Sequence, residues 1–162
     1  MSAVKEKVIP MRLYLGGKMR GEPEFGFSLF DEAATELRSL DFVKSVFNPA
    51  ENDRKNGFDT TGMRGTDEEM AGMGFSARKA LQQDFAWISR WSEGMIVLGN
   101  WLESDGAFAE AVFHQANHLP VWTLGQFMLS QGDPGVLKRS ALPNIRTIAG
   151  LLGISLDNAA PE

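Results

Sequence analysis

Four short strand-like runs, at residues 11–15, 43–47, 95–98 and 119–124, the second of them alternating apolar and polar, are separated by longer segments, several of them of helical character. That succession of runs and segments constrains the fold more than any other feature. Strands joined through a helical crossover lie parallel, because the crossover returns the chain to the same end of the sheet. The pattern predicts an α/β fold, a flavodoxin/Rossmann-like three-layer sandwich with a mostly parallel central sheet. Residues 27–40 place Phe27, Phe30, Ala33, Ala34, Leu37 and Leu40 on one helical stripe. Ser76 caps a second helix over residues 77–91, whose stripe runs Ala77, Ala80, Leu81, Ile88 and Trp91. Residues 107–117 and 144–152 are further helices, and Pro134-Gly135 marks a turn. Residues 50–74 are rich in Gly, Asp, Asn and Met without a clear period, so they form either a flap over a site or an unstructured insertion. The organisation expected is a tail at residues 1–10, one domain over 11–154 and a second tail at 155–162.

Charge and cysteine content narrow the function classes. A net charge of −5 in 162 residues gives no general attraction to a nucleic acid polymer or an anionic membrane. Any phosphate must therefore meet a local site. Absence of cysteine excludes disulfides, thiolate catalysis and cysteine-based zinc sites. His114 and His118 are spaced for a shared ligand, but no HExxH frame surrounds them, so surface or interface histidines are expected and no metal. No cofactor is implied. The chain lacks a secretory apolar region and a run of membrane-span length, so the expected location is cytoplasmic.

Chemistry concentrates where strands end. Ser104-Asp105-Gly106 follows the third apolar run and opens a helix, whose first turn leaves N–H donors without partners. Such a turn can hold an anion, or Ser104 can simply cap it. Glu110 lies about one turn inside, flanked by Ala107, Ala109 and Ala111, whose small side chains leave room for a sugar unless Glu110 is only a solvated helix residue. The first strand runs into Gly16-Gly17-Lys18-Met19-Arg20-Gly21, which reads either as a loop approaching an anion or as a turn with solvated cations. This loop has neither dinucleotide-binding nor P-loop spacing. Asp84 falls in the apolar stripe of its helix, where an unpaired carboxylate costs several kcal/mol, so it marks either a site or a structural cap. Asn48 and Glu51 lie at the same sheet edge, and Trp101 places a ring beside the anion turn, so these three are candidates for the base and flap region.

Together, Tyr14 through Gly21, Gln83 through Ile88, the run 95–98 and Ser104 through Glu110 resemble the nucleoside 2-deoxyribosyltransferase superfamily. The closest motifs are those of its 2′-deoxynucleoside 5′-phosphate N-hydrolases and of related small phage and bacterial proteins. The resemblance implies that Glu110 is the nucleophile, Asp84 the acid assisting the departing base, and Tyr14 the residue orienting Glu110. It further implies that Ser104, Gly106 and Arg20, with Gly17 and Lys18 beside them, hold a 5′-phosphate, and that the chain forms a homodimer or larger homo-oligomer. Lys18 stands where the hydrolases carry Ser, and residues 50–74 match them poorly. The activity implied is hydrolysis of the N-glycosidic bond of a nucleoside 5′-monophosphate. Base exchange between deoxynucleosides and a catalytically silent nucleotide-binding module are the alternatives.

Overall fold

A computed structural model of the chain describes residues 9–145 and 147. Strands β1 (Met11–Gly17), β2 (Val43–Phe47), β3 (Gly94–Leu98) and β4 (Val121–Thr123) form one all-parallel sheet in the order β2-β1-β3-β4. Helix α1 (Phe27–Arg38) connects β1 to β2. Helices α2 (Pro49–Lys55), α3 (Asp67–Gly72) and α4 (Ala77–Trp91) lie between β2 and β3, and α5 (Asp105–Ala116) between β3 and β4. Helices α6 (Leu124–Ser130) and α7 (Pro134–Ser140) follow. This is a flavodoxin/Rossmann-like three-layer sandwich.

Two cores follow from the side-chain period of the strands. Leu13, Leu15, Ile96, Leu98 and Trp122 pack with residues of α1, α6 and α7. Tyr14, Met95, Val97 and Val121 join a second cluster with Ile88 of α4 and Ala107 and Ala111 of α5. Fully burying each large apolar side chain stabilises the sandwich by about 1.5–3 kcal/mol, and the buried Trp122 indole donates to the Leu137 carbonyl at 2.8 Å. The strand order reverses between β1 and β3, which opens a crevice at their carboxyl ends.

Several boundaries differ from expectation. Gly16 and Gly17 belong to β1, pairing with Val97 and Leu98, and are not loop residues. The last strand stops at Thr123, because Thr123 and Gln126 form a capping box that starts α6. Pro134 is the first residue of α7, whose N-cap Asp133 accepts from the Val136 amide at 2.9 Å. Trp91 is half exposed, lying under the guanidinium groups of Arg12 and Arg90 instead of in the core. Residues 50–74 are neither a featureless loop nor an unstructured insertion. They contain most of α2, capped by Asn48, and all of α3, started by a Thr66–Glu69 capping box. The helix expected at 144–152 and the tail at 155–162 lie largely outside the described residues, as do residues 1–8.

The segment carrying α3 is tied to the chain after β1. The Gly21 amide donates to the Gly65 carbonyl and the Glu24 amide to the Met63 carbonyl, both at 2.8 Å. Gly65 has a φ of +82°, and a Cβ there would stand 2.1 Å from the Glu22 carbonyl oxygen. Left-handed strain in a non-glycine residue alone costs about 1–3 kcal/mol. Gly65→Ala should therefore lower the urea unfolding midpoint by at least that equivalent, and an unchanged midpoint would contradict the close approach.

Candidate functional site: a carboxyl-lined crevice

The crevice is a cavity of about 670 Å³, within the usual range for small-molecule sites. At its floor the Tyr14 hydroxyl donates to Glu110 Oε1 at 2.8 Å. Tyr14 reaches α5 because it points to that face of β1, and Gly16, two residues on, shares the face. A Cβ on Gly16 would stand 2.1 Å from Met95 Cε and 3.1 Å from Glu110 Oε2. The missing side chain leaves space chiefly for the Met95 methyl and, less tightly, for the carboxylate. Phe47 stacks on the Tyr14 ring with centroids 5.4 Å apart, and His114 lies 5.9 Å away on the α5 side.

His114 is fully buried, not at a surface or interface. Its Nδ1 lies 2.8 Å from the Glu110 carbonyl oxygen and its Nε2 2.8 Å from Ser92 Oγ. Burial lowers its pKa and favours the neutral ring. Nδ1–H then donates to the carbonyl, which can only accept, and Nε2 accepts the Ser92 hydroxyl. Both nitrogens are occupied in fixing the turn of α5 that carries Glu110.

Two further acids face the cavity, Asp84 from α4 and Asp53 from α2, and both are buried. Among the described residues no lysine or arginine forms an ion pair with Asp53, Asp84 or Glu110. Burial pushes Asp53 up to about 6, Asp84 up to about 7 and Glu110 up to about 8. The charge of Asp53 adds to the rise at Asp84, and that of Asp84 to the rise at Glu110, while the Tyr14 hydroxyl draws both partly back. The Tyr14 phenol is itself raised well above its ordinary value by burial and by the neighbouring acids, so it stays protonated and able to donate. Asp84 and Glu110 therefore titrate around neutral pH, an arrangement able to supply a nucleophile or base beside an acid.

The predicted anion site is assembled at the mouth, with its cations already engaged. Ser104 Oγ caps α5 by accepting from the Ala107 amide at 3.3 Å. A Cβ on Gly106 would meet only ordinary contacts, the nearest being Leu81 Cδ2 at 3.6 Å, so packing within the chain does not demand glycine there. Lys18 Nζ lies 2.6 Å from Glu103 Oε2 and 3.7 Å from Glu22 Oε1, and Arg20 lies 3.8 Å from Asp67 Oδ1. Gly17 also lines the cavity, although its missing side chain faces Phe30 and Leu98.

Three residues expected around the base and flap do not line the cavity. Asn48 is buried as the cap of α2, accepting from the Ala50 amide at 2.9 Å and donating to Asp31 at 3.0 Å. Glu51 points outward and receives both terminal nitrogens of Arg38, at 2.6 and 2.9 Å. Trp101 is buried in the core cluster of Tyr14, Ala107 and Ala111. Asp53, by contrast, was not among the expected site residues. Its signal is the Asn48-Pro49 helix start, which puts Pro49, Ala50 and Asp53 on one buried face of α2.

Fold and site together define a doubly wound α/β protein with a carboxyl-lined crevice at the switch point of its sheet. Residues 11–123 match the family described as a domain of unknown function, DUF4406, and the chain belongs to that family. The matched span runs from β1 through β4 and includes the three buried acids of the cavity. No curated protein and no solved structure matches the chain. Among the described residues no helix is long and apolar enough to cross a membrane.

The raised carboxyls set a pH dependence of stability. Between the ordinary carboxyl range and the pushed-up values the native state binds more protons than the unfolded chain, so stability falls as pH rises through that window. Glu110→Gln removes one such group and keeps an acceptor for Tyr14. It should melt several degrees higher than the parent at about pH 9 and lose that advantage at about pH 4. Thermal melts at both pH values check this, and a variant less stable at the higher pH would contradict the burial of an unpaired acid.

Proposed function

We propose that the chain hydrolyses the N-glycosidic bond of a (2′-deoxy)nucleoside 5′-monophosphate through a covalent glycosyl ester on Glu110. The observation that carries this reading is the Tyr14 hydroxyl held 2.8 Å from Glu110 in a buried cavity that Asp84 shares. In the first step a Glu110 carboxylate oxygen bonds to C1′ as the C1′–N bond breaks, and Asp84 gives its proton to the departing base. In the second step Asp84 takes a proton from water, whose oxygen bonds to C1′ and releases Glu110 and the sugar 5-phosphate. Tyr14 orients the attacking oxygen. The resemblance of the Tyr14, Gln83 and Ser104 stretches to the nucleoside 2-deoxyribosyltransferase superfamily supports the same assignment, and a homodimer or larger assembly belongs to it.

In this reading the 5′-phosphate sits at the start of α5, where the Gly106 backbone is open, and displaces Glu103 and Asp67 as partners of Lys18 and Arg20. Those existing ion pairs favour a second reading, base exchange on nucleosides that carry no phosphate. Adding a second free base then yields a new nucleoside, and removing the 5′-phosphate changes little.

Chromatography of deoxynucleoside 5′-monophosphates incubated with the chain tests the first reading through release of free base. Glu110→Gln should reduce release by about a thousandfold or more, the scale of losing a nucleophile, and full activity in that variant would contradict the assignment. The competent form has the pair's single proton on Asp84, the minor of its two placements while Glu110 is pushed higher than Asp84. Base release should therefore peak between the values of about 7 and about 8 to which the two are pushed. Activity falls below this range as the pair gains a second proton and above it as the pair loses its last. Gly106→Ala supplies a further check: it should leave the melting temperature nearly unchanged while raising KM for monophosphates more than for nucleosides. An equal effect on both would remove the phosphate from this turn.

A further inference from the structure

Asp53 has no part in the two chemical steps, yet it lines the same cavity and is only 7% exposed. Among the described residues its carboxyl accepts no hydrogen bond and pairs with no cation, and burial alone accounts for its raised pKa. Among the described residues no fully buried side-chain oxygen lacks a partner, so the Asp53 carboxyl opens onto the cavity, and a ligand entering there must supply the hydrogen bonds it takes away from solvent. The place of Asp53 in the sheet says which part of a ligand that is. The strands that lead into α2 and α5, β2 and β3, flank β1 on opposite sides, so Asp53 faces the crevice from the side away from the α5 turn that takes the phosphate in the reading above. Two aromatic rings share the cavity with it. The Phe58 amide donates to the Asp53 carbonyl at 3.1 Å, and the Phe58 ring meets Phe75 edge-on with centroids 4.9 Å apart. Both rings line the cavity and offer apolar surface for a flat heterocycle.

We propose that Asp53 reads the leaving base, and that its two carboxylate oxygens select a guanine-type edge, on which a ring N–H and an exocyclic amine stand side by side. This takes the identity of the ligand from the glycosidase reading above and adds the base. Asp53 is the least raised of the three acids, at about 6, so at neutral pH it is chiefly ionised and can only accept. Two adjacent donors match two acceptor oxygens. Adenine and cytosine set their amine beside a ring nitrogen lone pair, and thymine sets its N–H between two carbonyls, so each faces the carboxylate with at least one repelled acceptor.

Calorimetric binding of guanosine, adenosine, cytidine and thymidine 5′-monophosphates, in their deoxy forms, tests this on the full chain carrying Glu110→Gln to prevent turnover. The guanine nucleotide should bind about tenfold tighter or more than thymidine monophosphate, the discrimination typical of a bidentate contact. Adding Asp53→Asn replaces one acceptor with a donor, so the guanine preference should disappear and adenine or cytosine nucleotides should gain. Asp53→Ser, which removes the carboxyl without adding an amide, should lose the guanine preference with no such gain. The same rank order in all three proteins, or no nucleotide binding at all, would overturn the proposal. Guanine-selective binding that depends on Asp53, with no base released by the parent chain, overturns only the glycosidase reading. Base release whose rank order Asp53→Asn does not move overturns only the role of Asp53.

Discussion

The hydrogen bond from Tyr14 to Glu110 is the interaction to which the rest of the site is fitted. It joins the central strand to the helix after β3 across 96 residues of sequence. Its geometry depends on β1 being paired on both sides, because only a fixed strand face can aim a phenol at a helix in the adjacent layer. It also depends on what is missing: a methyl at position 16 would meet the Met95 methyl first and crowd the Glu110 carboxylate. Behind it, His114 holds the Glu110 carbonyl and Phe47 holds the Tyr14 ring, so both partners are immobilised by contacts that lie outside the cavity.

Around this bond the chain buries three acids in a cavity with no cation paired to any of them among the described residues. A structural core avoids that arrangement, since each unpaired carboxyl either loses hydration or takes up a proton. Raised pKa values of this kind are how one cavity keeps an acid and a base available near neutral pH. The stability given up at the site is offset elsewhere, in the two apolar clusters that clamp the sheet. The mouth has the opposite character. Its cations and acids are exposed or half-exposed and can exchange partners at little cost, which suits the entry of a charged ligand.

Much of the fold was legible because buried parallel strands read as apolar runs and long helices carry a full period. Leu13 to Leu15, Met95 to Leu98 and the stripe of α1 are of this kind. What escaped was short. Helices α2, α3, α6 and α7 have seven, six, seven and seven residues, about two turns, too few for a period to stand out. Their caps were visible at Asn48, Thr66, Thr123 and Asp133, but a cap signals a start and not a length. The same shortness hid Asp53, whose buried face is defined by only three residues of α2. Asp84 was legible because four turns of α4 surround it. Trp101 and Trp91 were misplaced for a different reason: tertiary packing decides which of two large rings enters a core, and local spacing does not. His114 lay on a visible helix, but its partner Ser92 stands 22 residues away, and only the closed sheet brings the two together.

The account stands on Glu110 as a nucleophile positioned by Tyr14, and one measurement addresses that directly. A 2-fluoro-2-deoxy nucleoside 5′-monophosphate slows breakdown of a glycosyl ester more than its formation, so intact-mass analysis after incubation reports whether the ester exists. The account predicts a mass increase equal to one fluorosugar phosphate, carried by the peptide containing Glu110. Free base released from ordinary monophosphates with no adduct, or an adduct on any other residue, would contradict it.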